Sequence, residues 1–325
     1  MWTGEATAAL GACRWAVGPH MVGGRIEIGR KMNQGTANRR LLMALCMAMA
    51  MALVTLALVG CGGTDATSDA AASDGAQEAT EDTTESIVEE EHGSRIGIIG
   101  AMDEEVATLK EALTDEEVTT IAGMDFYQGK LEGKDVVVVK SNIGKVNAAV
   151  CAQLLVDRFD VGRIINTGVA GSLDARIDIG DIVVSTDAVQ HDYDLTPIGL
   201  KPGEFIDLGV TSFTADAAMR ERALDAVAAI APDVHAFEGT VCSGDQFIAS
   251  REQKDRILGK FDGLCCEMEG AAIAQVCHIN DMPFVILRAI SDKADGSATM
   301  DYAEFEEEAA AHCASIVEYM VPQLD

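Results

Sequence analysis

GIIGAMDEE, residues Gly97 to Glu105, takes an apolar run through glycine into the helical pattern EEVATLKEAL. A short β-rich segment that turns at glycine and enters a helix is the start of a βα unit. The pattern recurs along the chain. KDVVVVKSNIG is followed by KVNAAVCAQLLVDRF, and GRIINTGVAG, GDIVVSTDAV, GTVCSGDQFI and MPFVILRAISD supply further strands. Between them lie the helical patterns TADAAMRERALDAVAAIA, EMEGAAIAQVCHI and a terminal helix from Asp301 to about Met320. Strands that are apolar without alternation are buried on both faces of a sheet, and helices between them imply βαβ crossovers. The expected fold class is α/β, one domain over residues 95–325 with helices on both faces of the sheet.

The residues before Arg95 differ in kind. Leu41 to Gly60 is an uncharged run of 20 residues preceded by Arg39 and Arg40, long enough to span a membrane. It closes on Leu58-Val59-Gly60-Cys61, which resembles a bacterial lipobox and identifies Cys61 as a lipidation candidate. Starting at Met32, residues 32–61 form a lipoprotein signal peptide of ordinary length, leaving 1–31 as an upstream extension or a mis-called start. Residues 62–94 carry ten Asp or Glu and no Lys or Arg, so they read as an acidic, disordered linker. The expected location is the extracytoplasmic face of the cell membrane, through a lipid anchor.

From Arg95 onward 18 Lys or Arg face 41 Asp or Glu. Such a balance argues against nucleic acid and anionic lipid surfaces as partners. Cys151, Cys242, Cys265, Cys266, Cys277 and Cys313 lie mostly in apolar stretches, without CxxC or Cys/His spacing. They read as buried free thiols, with neither metal nor cofactor called for.

Ligands of open α/β sheets sit beyond the carboxyl ends of the strands, and acids gather there. Asp103, Glu104 and Glu105 follow the first strand. An ordinary reading makes them first-turn acids that cap free N–H groups and complement the helix dipole; that reading is assigned to Asp103 and Glu104. Glu267 and Glu269 precede a small-residue helix, and Asp292 ends the strand FVILRAISD, whose interior holds Arg288. An arginine there neutralises a nearby carboxylate, and a structural ion pair alone would also account for it. Three separated acids at strand ends suit cleavage of an N-glycosidic bond: one activates water, one binds the sugar, one protonates the leaving base.

RIGIIGAMDEEV, KSNIGKVNAA, INTGVAGSL, GDIVVS, SGDQFI, EMEGAAIAQVCH and FVILRAISDKAD together resemble the 5′-methylthioadenosine/S-adenosylhomocysteine nucleosidases. The resemblance implies a single three-layer αβα domain around a central twisted mixed sheet, of the nucleoside phosphorylase/hydrolase kind, and a homodimer with His191-Asp192-Tyr193-Asp194 near the contact. It assigns Glu105 as the base for water, supported by Arg288, and Glu269 to the ribose hydroxyls. Asp292 becomes the general acid at adenine N7, with Ser291 beside it. Phe247 stacks on adenine, and the backbone of Ile248 reads its edge. Met102, Ile143, Met268 and Tyr302 wall the ribose and alkylthio group. Val169 stands where many relatives carry serine, removing one hydroxyl from the sugar site.

Rival readings share the fold or the anchor. A purine nucleoside phosphorylase would bring phosphate to the first glycine turn, where the MDEE acids repel it: like charges about 4 Å apart cost on the order of 4 kcal/mol at an effective dielectric of about 20. An aminofutalosine-type nucleosidase could share every acid and differ only in the 5′ pocket. A nucleoside-binding lipoprotein would need two lobes and no acids poised for proton transfer.

Overall fold

A computed structural model describes residues 93–324. Ten strands and six helices follow in the order β1 (Arg95–Gly100), α1 (Asp103–Glu111), β2 (Thr114–Ile121), β3 (Met124–Leu131), β4 (Lys134–Lys140), α2 (Lys145–Arg158), β5 (Val161–Ser172), β6 (Ile182–Gln190), β7 (Phe213–Thr214), α3 (Ala217–Ile230), β8 (Ala236–Ser243), α4 (Arg251–Phe261), β9 (Cys265–Glu267), α5 (Gly270–Ile279), β10 (Phe284–Asp292) and α6 (Ala298–Met320). The α/β alternation expected from the sequence is present.

The central strands are apolar on both faces because both are covered. Ile98, Val138 and Ile165 pack with Val106 and Leu109 of α1, Met219 and Ala223 of α3, and Ile316 and Val317 of α6. Ile99, Val137, Val139 and Ile164 face the other layer, with Cys151 and Leu155 of α2 and Ile273 of α5. Each of these fully buried aliphatic side chains contributes roughly 1.5–3 kcal/mol by leaving water. α3 and α4 start at side-chain caps: Asp216 accepts from the Met219 amide and Ser250 from the Gln253 amide, each satisfying one free first-turn donor.

The sheet is mixed, and part of it closes on itself. β1 lies between β4 and β5 in parallel. β5 is twelve residues long, and β10 runs parallel along its other edge from Ile164 to Gly171. Pairing with β1 ends at Asn166, and β9 takes the edge at Gly171 and Ser172. β10 pairs β6, β6 pairs β8, and β8 pairs β9, completing a circuit β5–β10–β6–β8–β9. The sequence pointed to an open sheet; the closure comes from β9, only three residues long, which bridges two strands distant in the chain.

The β2–β3 hairpin that leads into β4 is the other element that strand patterning did not show. TDEEVTTI is almost wholly exposed, so it carries no apolar signal. Its turns are two-residue, with positive φ at Ala122 and Gly123 and again at Glu132 and Gly133, the backbone that suits a right-twisted hairpin.

All six cysteines of the domain are free and buried. Among the described residues no helix is long and apolar enough to cross a membrane. The segments expected to be an upstream extension, a signal peptide ending at Cys61 and an acidic linker (1–31, 32–61 and most of 62–94) lie outside the described residues.

Candidate active site

A cavity of about 350 Å³ opens where β1, β5, β9 and β10 end. The four strands come from distant parts of the chain, and each delivers residues to the same place. β1 leads into Glu105 through the first turn of α1, β5 brings Val169, β9 brings Glu267 and the following Glu269, and β10 brings Ser291 and Asp292.

Glu105 is buried and faces inward, held by three main-chain donors. Its Oε2 accepts from the amides of Ala101 at 2.5 Å and Met102 at 3.1 Å, and its Oε1 from Val169 at 3.0 Å. It is the third helical residue reaching back to the N-cap of α1. Capping was expected of Asp103 and Glu104 instead. Asp103 is exposed and turns to Lys140 at 2.7 Å and Lys110 at 3.8 Å, and Glu104 is exposed. The reason is helical register: only the third position points its side chain back at the free N–H groups. Burial pushes Glu105 above the ordinary carboxylate range, against the pull of Arg288 and the three amides. A carboxylate so raised is a stronger base than a free one and is suited to accept a proton.

Gly168, at φ 155°, makes this approach possible: a Cβ there would lie 2.2 Å from Glu105 Oε1 and 2.3 Å from Arg288 Nη1.

Arg288 lies behind the cavity and does not line it. Fully buried, it sends Nη2 to Glu267 Oε2 at 2.5 Å and Asn166 Oδ1 at 2.6 Å, while Glu105 and Glu269 stand 3.8 Å away. Its primary partner is therefore Glu267, and its service to Glu105 is electrostatic. Glu267 is further held by Ser243 Oγ and by the amides of Glu269 and Gly270. It thus fixes the turn that presents Glu269.

Glu269 Oε1 accepts from the Gly144 amide at 2.8 Å. Burial, with Glu267 second, pushes its carboxyl up to about 8. Three carboxylates surround one guanidinium, and the negative charge of Glu267 adds to burial in raising Glu269.

Asp292 receives the Ala294 amide on Oδ1 at 2.8 Å and the Ser291 hydroxyl on Oδ2 at 3.0 Å. Burial raises it above its usual range despite both donors, which favours a protonated carboxyl able to donate.

Met102, Ile143, Val169, Phe247, Ile248, Met268, Ser291 and Tyr302 all line the cavity. Phe247 and Ile143 are about half exposed, forming its rim. Tyr302 stands edge-on to Phe247, with ring centroids 5.6 Å apart, and its hydroxyl lies 3.1 Å from Met102 Sδ. Val169 contributes its amide to Glu105, so the missing serine hydroxyl leaves Glu105 anchored. Not among the expected site residues but lining the cavity are Ala101, Ala170, Gly171, Gln246, Cys266 and Glu267, of which the sequence marks only Glu267, as one acid of the Glu267–Glu269 pair. Gln246 adjoins Phe247 in SGDQFI and could have been found there; Cys266 gave no signal beyond its place in an apolar strand.

The model of the phosphorylase superfamily matches residues 95–322. A 5′-methylthioadenosine/S-adenosylhomocysteine nucleosidase of Shewanella sediminis is 43% identical over 231 residues, which is 71% of this chain and 100% of that protein. The chain belongs to this nucleosidase family within the phosphorylase superfamily. Among solved structures, the Neisseria meningitidis nucleosidase in complex with methylthio-immucillin-A superposes with a TM-score of 0.69 at 36% identity, covering 71% of this chain and 100% of that one. The futalosine hydrolase of Helicobacter pylori superposes with a TM-score of 0.68 at 34% identity, covering 71% and 98%. Family membership accounts for the α/β domain with its mixed sheet; the arrangement of acids in this chain gives the chemistry its detail.

Proposed function

We propose that this chain hydrolyses the N-glycosidic bond of 5′-methylthioadenosine and S-adenosylhomocysteine, with water as nucleophile. The observation that carries this reading is the occupation of the first glycine turn. The amides of Ala101, Met102 and Val169 point to one place, where an incoming phosphate would need them, and the Glu105 carboxylate already takes all three. The site therefore supplies a fixed anion beside the sugar rather than a receptor for one, and this favours a neutral nucleophile. Of the three acids after the first strand, only Glu105 stands where it would repel phosphate, because Asp103 and Glu104 face solvent.

In this mechanism Glu105 takes a proton from water as oxygen attacks C1′. The bond from C1′ to N9 breaks, and Asp292 gives its proton to N7, so that adenine leaves neutral. Glu269 binds the ribose hydroxyls and Glu267 with Arg288 holds it in place. Phe247 stacks on the base, the Ile248 backbone reads its edge, and Met102, Ile143, Met268 and Tyr302 receive the alkylthio group; sulfur suits Met and aromatic neighbours.

A second reading, an aminofutalosine-type nucleosidase, draws on the likeness to the H. pylori futalosine hydrolase. It keeps every catalytic role and changes only the 5′ substituent.

We further propose that a second copy of the chain covers the rim. Ile143, Val146 and Val150 expose an apolar stripe on and beside α2, at helical spacing. A lipid on Cys61 would hold the domain at the extracytoplasmic face of the membrane, and radiolabelled palmitate on Cys61 tests that anchor.

The deciding experiment incubates the purified protein with methylthioadenosine, with and without phosphate. Adenine released without phosphate supports hydrolysis; release only with phosphate indicates a phosphorylase, and unchanged nucleoside a binding protein. A panel of 5′-substituted nucleosides separates the two hydrolase readings.

A further inference from the structure

Asp292 stands at an irregularity. Along the β5–β10 ladder Ile290 pairs Ala170 and Asp292 pairs Gly171, with a register shift between them. A bulge of this kind re-aims a side chain and weakens the local pairing. The approach is close: a Cβ on Gly171 would lie 2.7 Å from Asp292 Oδ1. The following turn is strained as well, since Ala294, whose amide holds Asp292, sits at φ 50°. Left-handed backbone at a residue with a Cβ persists only where neighbours enforce it.

The enforcing contact comes from a helix outside the cavity. Lys254 of α4 donates from Nζ to Ser172 O and to Lys293 O, both at 2.7 Å. Ser172 is the last residue of β5, and Lys293 follows the last residue of β10. One ammonium thus joins the two strand ends where their ladder is interrupted. Lys293 is secured from the other side, its own Nζ reaching Ile177 O and Asp178. Lys254 is partly buried and lines no part of the cavity.

We infer that Lys254 is a positioning residue for the general acid, stapling the ends of β5 and β10 so that the Asp292 carboxyl is held at the leaving base. This rests on the proposed role of Asp292. The ammonium also faces Asp292 electrostatically, together with Asp295, Lys293 and the Cys266 thiol of β9. Around Asp292 itself stand Ser291, Asp301 and Tyr302 of α6, Cys266 and Lys254. Lys254 is the cation of this set that opposes proton retention by Asp292.

The test compares kcat, KM and the pH profile of adenine release for the wild type, Lys254→Met, Lys254→Gln, Lys254→Arg and Asp292→Asn. For Lys254→Met we expect kcat to fall about tenfold or more with KM within about threefold. We also expect its alkaline limb to move to higher pH, because Asp292 keeps its proton longer once the cation is gone. Lys254→Arg, which can still donate to both carbonyls, should recover most of the rate. Lys254→Gln, uncharged with two donors, serves if the Met variant does not fold; the same shift in its alkaline limb is expected. Wild-type kcat and limb in the neutral variants, or a rate loss that follows only a lowered Tm with the limb unmoved, would overturn the inference. Asp292→Asn separates the premises: if it is inactive while the lysine variants are normal, the staple fails alone, and if it is fully active the acid itself is misassigned.

Discussion

The Val169 amide donates to Glu105 Oε1 at 3.0 Å, tying the middle of the sheet to the first turn of α1. A main-chain group of β5 thereby aims a side chain ten residues beyond the start of β1, and the contact does not depend on the side chain at position 169. Glu105, the proposed base, is held by backbone geometry, and so its anchorage tolerates valine where many relatives carry a hydroxyl.

Glu105→Gln keeps the size and part of the hydrogen bonding but cannot take a proton from water. Turnover of methylthioadenosine should fall by roughly 10²–10⁴-fold, the usual worth of a general base. Binding of the nucleoside, measured by calorimetry, should remain within a few-fold. Unchanged turnover would place the base elsewhere.

Asp292→Asn removes the proton destined for N7 while leaving a carboxamide of the same shape. Adenine release should drop by a comparable factor with the fold intact by circular dichroism. In the wild type, burial raises Asp292 and the acid works protonated. Activity should therefore decline on the alkaline side as pH passes through the raised value, and a profile rising throughout toward high pH would contradict the assignment.

Glu269 sets a pH dependence of stability. Its carboxyl is near 8 when folded and about 4.3 when unfolded, so the folded state binds the proton more tightly. The stabilisation is complete below the unfolded value and is lost as pH rises toward 8. Glu269→Gln lacks this loss. Calorimetric Tm values of wild type and variant, compared between pH 5 and 8, should shift progressively in favour of the variant as pH rises; curves that stay parallel would rule this out.

Gly168→Ala should be among the most damaging changes available. A Cβ at 2.2 Å from Glu105 Oε1 forces apart the carboxylate and Arg288, at a positive φ that itself disfavours alanine. Together these cost about 3 kcal/mol or more, to be read from chemical denaturation, with activity lost beyond what the unfolded fraction explains. A variant within about 0.5 kcal/mol of wild type would show that the turn can relax.

Sequence alone was sufficient for the α/β domain, because strands buried on both faces, such as KDVVVVK, have no polar positions to disguise them. It also drew attention to Glu267, Glu269 and Asp292 beside Arg288, because a carboxylate following an apolar strand is costly unless partnered; the family resemblance singled out Glu105 and Glu269 among the acids. The tertiary structure decided how those acids divide their work. Asp103 and Glu105 are two residues apart, and only the cap geometry of α1 turns one to Lys140 and the other to the cavity. Arg288 takes Glu267 as its closest partner, and that choice depends on how β9 closes the sheet onto β5. No local pattern encodes such pairings, since they arise where strands far apart in the chain are brought edge to edge, and the same closure gathers four strand ends around one cavity.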